Sequence, residues 1–500
     1  MNITARKLFL LAPVLFIACQ MVDDKERPSE KDGQQMSQGS EAVRNNLIKN
    51  PGFELIDVSS DLPEGWQVKS PRQELMPSYE ADSKVSHSGK YSVKLSGRGN
   101  PGTFGYWVTT LPDLNTGPGV KNLNDFPKTV GDSVFLGSKS YEVVCFAKTK
   151  DIESPDKNIW IRVNWSDSNG KNVFTNFITK HRDEGDWLRF GQVIKMPSAA
   201  VSMNIELAVQ WTAAGSVWFD DVSVAEVPSA KPRKIRAATV FARPQGPTTP
   251  EKNLEHFAAL VEEAGKLNAD IICLGEGITV VSTGKTFEEI AETIPGPAST
   301  IIGEAARKSK MYVVAGIYEK DGPVIYNTAL LFDRQGNVAG KYRKTHLPQT
   351  EVLGGLTPGT EYPVFKTDFG TVGIQICYDY FFPEVTRNLA LQGAEIILVP
   401  IWGDGRDERR SFEIMARSRA IDYSVFFITS IYSNPRSLII NPDGKVLAFA
   451  DSENKIAVAD INLDEQSFEK WLSVSGFGEW KSFFVRERRP ETYNISPAME

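Results

Sequence analysis

The apolar pattern of the chain changes period once, across "VPSAKPRKIR" (residues 227–236), and no single layered domain accommodates both halves. Before it, short alternating runs such as "YSVKLSG", "SYEVVCFAK", "NIWIRVNWSDSNGKNVFTNF" and "MNIELAVQWTAAGSVWFDDVSVAEV" are split by turn residues. That is the period-two pattern of strands with one covered face, and "SDSNGK" and "TAAGS" read as hairpin turns. After it, apolar strands ("KIRAATVFA", "DIICLGEG", "MYVVAGIYE", "GTVGIQIC", "AEIILVP", "VFFITS") alternate with helical stretches. In "TPEKNLEHFAALVEEAGKLNA", Leu254, Phe257, Leu260, Val261, Ala264 and Leu267 share one helical face, with Thr249 and Pro250 as the start signal. The expectation is a multidomain chain: an all-β sandwich of jelly-roll type over 46–228, a linker over 229–234, and an α/β domain over 235–500.

The first residues read as a targeting segment. Arg6 and Lys7 precede an apolar stretch from Leu8 to Ala18 that is too short to span a bilayer, and Cys19 follows. "LFIAC" resembles a bacterial lipobox, which implies a signal peptide over 1–18, lipidation at Cys19, and an exported lipoprotein held at the cell envelope by lipid alone. Residues 20–45 are polar, lack aromatics and read as a disordered spacer. A net charge of −7 without any Lys/Arg block excludes a nucleic-acid footprint. The chain has four cysteines, Cys19, Cys145, Cys273 and Cys377. Without Cys19 three remain, so at least one thiol cannot pair within the chain.

Seven of the ten Trp residues (66, 107, 160, 165, 187, 211 and 218) fall in the β unit, most of them as expected core. "NLIKNPGFE", "SGKYSVKL" and "VWFDDVSV" resemble a carbohydrate-binding-module-like jelly roll. That resemblance implies a glycan partner and a structural calcium ion held by Glu54 and Asp220.

The chemistry concentrates in the second half. In "GTVGIQICYDYFFPEVTRNLALQG" a strand ends at Cys377, Pro383 stands where a helix starts, and Gly393 stops that helix. Ligands collect at the carboxyl ends of strands in open α/β sheets, so Cys377 is placed where a thiol meets substrate. Glu276 ends the strand "DIICLGEG", and Lys344 follows "GKYRK". Alone, each reads as a surface charge. In the order Glu276, Lys344, Cys377, with "LGEG", "YNTALLFDRQGNVAGKYRKTHLP", "GIQICYDYFFPE", "IPGP", "VVAGIYE", "TPGTEYPVF" and "RSRAIDYSVFFITS" around them, the stretch resembles the nitrilase, or carbon–nitrogen hydrolase, superfamily. "CYD" is similar to its amidase and carbamoylase branches.

The resemblance implies a four-layer αββα sandwich and a small-molecule amide or carbamoyl-amide substrate. Catalysis through a thioester acyl-enzyme needs no cofactor. Cys377 is the implied nucleophile, Glu276 the general base, and Lys344 the stabiliser of oxyanion and thiolate, with the Tyr378 N–H as second oxyanion donor. A second glutamate is implied before a "PG": Glu351 matches, and Glu361 is the alternative. "LGEG" departs from the commoner "FPE". A homodimer is expected by analogy. Two other readings stay open, a glycan-binding surface protein with an inactive hydrolase-like domain and an N-acyltransferase working through the same acyl-enzyme.

Overall fold

The computed structural model describes residues 45–114, 139–403, 411–433, 436–465, 468–469, 477–479, 484 and 486–493. The leader 1–18, Cys19 and the spacer up to Arg44 lie outside the described residues.

The first part is β-rich. A six-stranded sheet runs in the order His181–Glu184, Trp187–Lys195, Ser140–Lys150, Ser216–Val227, Ser92–Ser96, Ser78–Asp82. A seven-stranded sheet runs Phe468–Glu469, Phe477–Glu479, Asn172–Ile178, Ile159–Ser166, Ser202–Gln210, Phe104–Leu111, Gln67–Lys69. Alternate residues of both sheets point into one core: Val143, Cys145 and Ala147 from one meet Ile161, Val163, Trp165, Ile205 and Leu207 from the other. Among the described residues neither sheet closes on itself, so the jelly-roll expectation narrows to a β-rich two-sheet unit. Six of the seven Trp residues are buried; Trp211 is exposed.

One of the two expected hairpins forms. The strands around "SDSNGK" pair antiparallel, and the Asp167 carboxylate accepts the N–H groups of Asn169 and Lys171 across the turn. "TAAGS" is not a hairpin. Ser202–Gln210 belongs to the seven-stranded sheet and Ser216–Val227 to the six-stranded one, so the segment crosses between sheets. Trp211 turns the chain at φ +52°. Gly215 then passes so close to the neighbouring loop that a Cβ there would stand 2.6 Å from the Asp151 carbonyl oxygen.

Glu54 and Asp220 do meet at one corner, on either side of Gly52. Glu54 Oε1 accepts the backbone N–H groups of Lys90 and Tyr91 at 2.8 and 3.0 Å. Asp220 Oδ1 accepts Asp221 N–H, and Oδ2 accepts those of His87 and Ser88. N–H donors thus tie both carboxylates into a hydrogen-bonded clasp. Burial, with the charge of Asp221 adding to it, pushes the Asp220 carboxyl up to about 6. The clasp is therefore most favourable below the ordinary value of 3.8 and loses stability as pH rises through about 6. Between pH 4.5 and 7.5 the β-rich unit should lose roughly 2 kcal/mol. Amide hydrogen exchange in Ser216–Val227 measures the loss, and Asp220→Asn should abolish the pH dependence.

The second part is built on two more six-stranded sheets. One runs Val338–Arg343, Val324–Phe332, Tyr312–Asp321, Ile271–Cys273, Lys234–Val240, Ile456–Asn462. The other runs Val364–Lys366, Thr371–Ile374, Ile396–Ile401, Phe426–Ile431, Ser437–Ile440, Val446–Ala450. Each has three parallel central strands, and both faces are covered, which is why these strands read as unbroken apolar runs. Ile271, Cys273, Ile396 and Leu398 fill the space between the sheets. Ile272 and Leu274 face helices Pro250–Lys266 and Pro297–Ser309, and Ile397 and Val399 face helices Pro383–Leu391 and Ser411–Tyr423. The layers are helix, sheet, sheet, helix.

The helix Pro250–Lys266 starts where expected, with Thr249 Oγ1 accepting Lys252 N–H. Leu267 is the exception on its face: it lies past the last helical residue and is exposed. The expected boundary at 235 does not hold to the end of the chain. Phe477–Glu479 pairs in parallel with Asn172–Ile178, so the last described strands complete an edge of the first part.

Candidate active site

Four ionisable side chains converge, two of them, Glu276 and Cys377, from beyond the carboxyl ends of parallel strands. Glu276 lies beyond Ile271–Cys273 and is 2 % exposed, rather than facing water as a strand-end carboxylate would. Glycine flanks it for a packing reason. A Cβ on Gly275 would stand 2.3 Å from the Tyr432 ring, and one on Gly277, at φ +54°, 2.8 Å from the Tyr318 ring. The departure "LGEG" thus makes room for two tyrosines.

Lys344 follows the strand Val338–Arg343 and is 1 % exposed, the reverse of a solvated charge. Its N–H donates to the Asn327 carbonyl and its own carbonyl accepts Gly359 N–H, both at 2.8 Å. A Cβ on Gly359 would sit 2.3 Å from the Arg343 carbonyl oxygen, so the "PG" permits this backbone contact. Glu351 is buried on the short helix Gln349–Leu353, whereas Glu361 is exposed. Lys344 Nζ donates to Glu276 Oε1 and to Glu351 Oε1, each at 2.8 Å.

Cys377 ends the approach from Thr371–Ile374 and opens the 3₁₀ turn Cys377–Phe381, which leads into the helix Pro383–Leu391. Its φ is +43°, a left-handed conformation that costs a β-carbon-bearing residue about 1–3 kcal/mol. Its thiol is a hydrogen-bond partner of Glu276, and burial, reinforced by Glu276, holds the thiol pKa above the ordinary range while Lys344 pulls it down. Lys344 thus acts in the direction expected of it, against burial and Glu276. Burial works to lower the pKa of Lys344, but Glu276, Cys377 and Glu351 together hold it above its usual value. Burial raises Glu351, Lys344 opposes this and Glu276 adds to it, leaving it at about 7.

Three supports were missed in the sequence. Trp402 N–H donates to Glu276 Oε2 at 2.8 Å, fixing the second oxygen of that carboxylate. The Asn327 amide bridges the two glutamates. Asp379, fully buried, binds the Cys377 turn to the lysine segment. Its Oδ2 accepts Ile376 N–H at 3.0 Å and the Tyr342 hydroxyl at 2.8 Å, and its Oδ1 accepts His346 N–H at 2.9 Å and the Thr345 hydroxyl at 3.0 Å. The "CYD" triplet was the available signal for Asp379. Tyr378 is half-buried in the same turn. Cys145 and Cys273 are buried in apolar cores away from this site.

The sequence profile of the carbon–nitrogen hydrolase family matches residues 236–467. An omega-amidase NIT2 from Bos taurus is 34 % identical over 230 residues, 42 % of this chain and 83 % of that protein. A nitrilase from Pyrococcus abyssi is 35 % identical over 245 residues, 46 % of this chain and 90 % of that protein. A crystal structure of Saccharomyces cerevisiae Nit3 superposes with a TM-score of 0.43 at 27 % identity, covering 47 % of this chain and 93 % of that one. The chain therefore belongs to the carbon–nitrogen hydrolase family, and its second half is an amidase-like, cysteine-dependent enzyme domain.

Proposed function

We propose that this domain hydrolyses small-molecule amides through a thioester on Cys377. The observation that carries the reading is the buried group in which one lysine binds two glutamates and one of those glutamates faces a half-buried thiol. In the proposed sequence Cys377 Sγ attacks the carbonyl carbon as its proton passes to Glu276. Lys344 and the Tyr378 N–H hold the oxyanion. Collapse breaks the C–N bond, and the amine leaves with the proton from Glu276. Glu276 then takes a proton from water, whose oxygen attacks the thioester, releasing the acid and restoring the thiol.

The test is a panel of small amides and carbamoyl-amines scored for both products. One carboxylic acid per ammonia or amine released is the expected stoichiometry for the amides, and one CO2 and one ammonia per amine released for the carbamoyl-amines. An acyl group found on an added amine instead of on water would replace hydrolysis by acyl transfer.

We also propose export and lipid attachment at Cys19, supported by Arg6, Lys7 and the apolar stretch Leu8–Ala18. Cys19→Ala should move the protein from the membrane fraction to the soluble one. A glycan ligand for the β-rich unit and a homodimeric assembly complete the proposal, with affinity electrophoresis in glycan gels and sedimentation as their tests.

A further inference from the structure

Asn327 has no part in the steps above, yet it is bound into the reacting group more tightly than any other neutral side chain described there. It is fully buried on the strand Val324–Phe332. Its Nδ2 donates to Glu276 Oε1 at 2.8 Å and to Glu351 Oε1 at 3.0 Å, the same two oxygens that accept Lys344 Nζ. Ammonium and amide thus form the opposite corners of a four-membered ring with the two carboxylate oxygens. The Asn327 carbonyl also accepts Lys344 N–H, so one residue fixes the lysine backbone and mirrors its head group. The orientation of the amide follows from its partners, since the flipped form would set Oδ1 against two carboxylate oxygens. In the observed form Asn327 Oδ1 and Glu351 Oε2 are both buried without a hydrogen-bond partner.

The charges explain why an amide stands there. Lys344 against Glu276 and Glu351 leaves one excess negative charge when all three are ionised, and one proton neutralises the group. A second cation would hold both carboxylates ionised, and an apolar residue would leave their shared side without a donor. An amide supplies two N–H bonds and no charge. We infer that Asn327 is a positioning residue that fixes how Glu276 and Glu351 share a proton over Lys344, and thereby sets the acid limb of the pH–rate profile. The inference rests on the reading of Cys377 as nucleophile. The titratable groups around the pair are Lys344, Cys377, Tyr318 and, against Glu276, Tyr432. Both tyrosines have pKa values raised by burial and stay neutral across the range tested.

The experiment measures kcat and KM against pH for the full chain, for Asn327→Ala and for Asn327→Asp, with circular dichroism to confirm folding. Asn327→Ala removes the donor and should move the acid limb up by about one pH unit, with kcat down about 10–100-fold and KM within about threefold. Asn327→Asp keeps the size but adds a third carboxylate, whose charge raises the pKa of its neighbours, so its acid limb should move up further than that of Asn327→Ala. Iodoacetamide labelling of Cys377 against pH gives the same readout where turnover is too slow to follow. An acid limb that stays in place in both variants, at whatever rate, overturns the inference. Cys377→Ala in the same assay separates the two claims, because activity surviving there defeats the nucleophile assignment and leaves the limb comparison standing.

Discussion

Cys377→Ala should fold normally and lose amide turnover by at least about 10⁴-fold, because no other group can form the acyl intermediate. The fold is expected to survive because the Cys377 turn is held by its neighbours. Asp379 makes its contacts through Ile376, Tyr342, Thr345 and His346, and none of them uses the Cys377 side chain. Removing the sulfur leaves the left-handed backbone at φ +43° in place. The double substitution of Cys145 and Cys273 serves as the control. Both are buried in apolar cores, and only Cys377 has Glu276 as a hydrogen-bonded base, so neither competes as a nucleophile. That variant should retain its specific activity after any loss of soluble yield is accounted for.

Glu276→Gln is expected to have the second largest effect. A neutral amide cannot take the proton of a thiol whose pKa burial holds high, so attack and deacylation both lose their base. General-base loss costs about 10²–10⁴-fold, and loss from both half-reactions places kcat at the upper end. A stability change comes with it. Glu276 accepts from Lys344, Asn327 and the Trp402 N–H, and Gln can accept on one oxygen only. Lys344 keeps Glu351 as counter-ion, so the cost should be about 2–3 kcal/mol, short of the full penalty of an unpaired buried charge. Urea denaturation checks it. With Glu276 neutral, Glu351 loses the negative neighbour that raises its pKa and should titrate lower, moving any residual acid limb down in pH.

These expectations show where the sequence was legible. Cys377 could be placed because a strand end, a proline at a helix start and a closing glycine are local signals that leave little choice of backbone. Glu276, Lys344 and Glu351 could be named only through the order of motifs around them, since nothing local distinguishes a buried carboxylate from a surface one. Asp379, Asn327 and the Trp402 N–H each make contacts that reach 33 to 126 residues along the chain, beside nearer ones. No periodicity reports such pairs. The same limit explains "TAAGS", whose composition fits a hairpin while its course depends on which sheet each flanking strand joins. It also explains the strand Phe477–Glu479, whose partner lies about three hundred residues earlier. Strand content was readable from alternation, and strand partnership was not.

The central claim is that the sulfur of Cys377 carries the acyl group between amide and acid. Rapid acid quench during turnover, followed by peptide mass spectrometry, tests it most directly. The account predicts the acyl mass on the peptide spanning residues 373–384, stable in acid, released by hydroxylamine and absent from the Cys377→Ala protein. Steady turnover with that peptide unmodified, or with the adduct on Cys145 or Cys273, would contradict it.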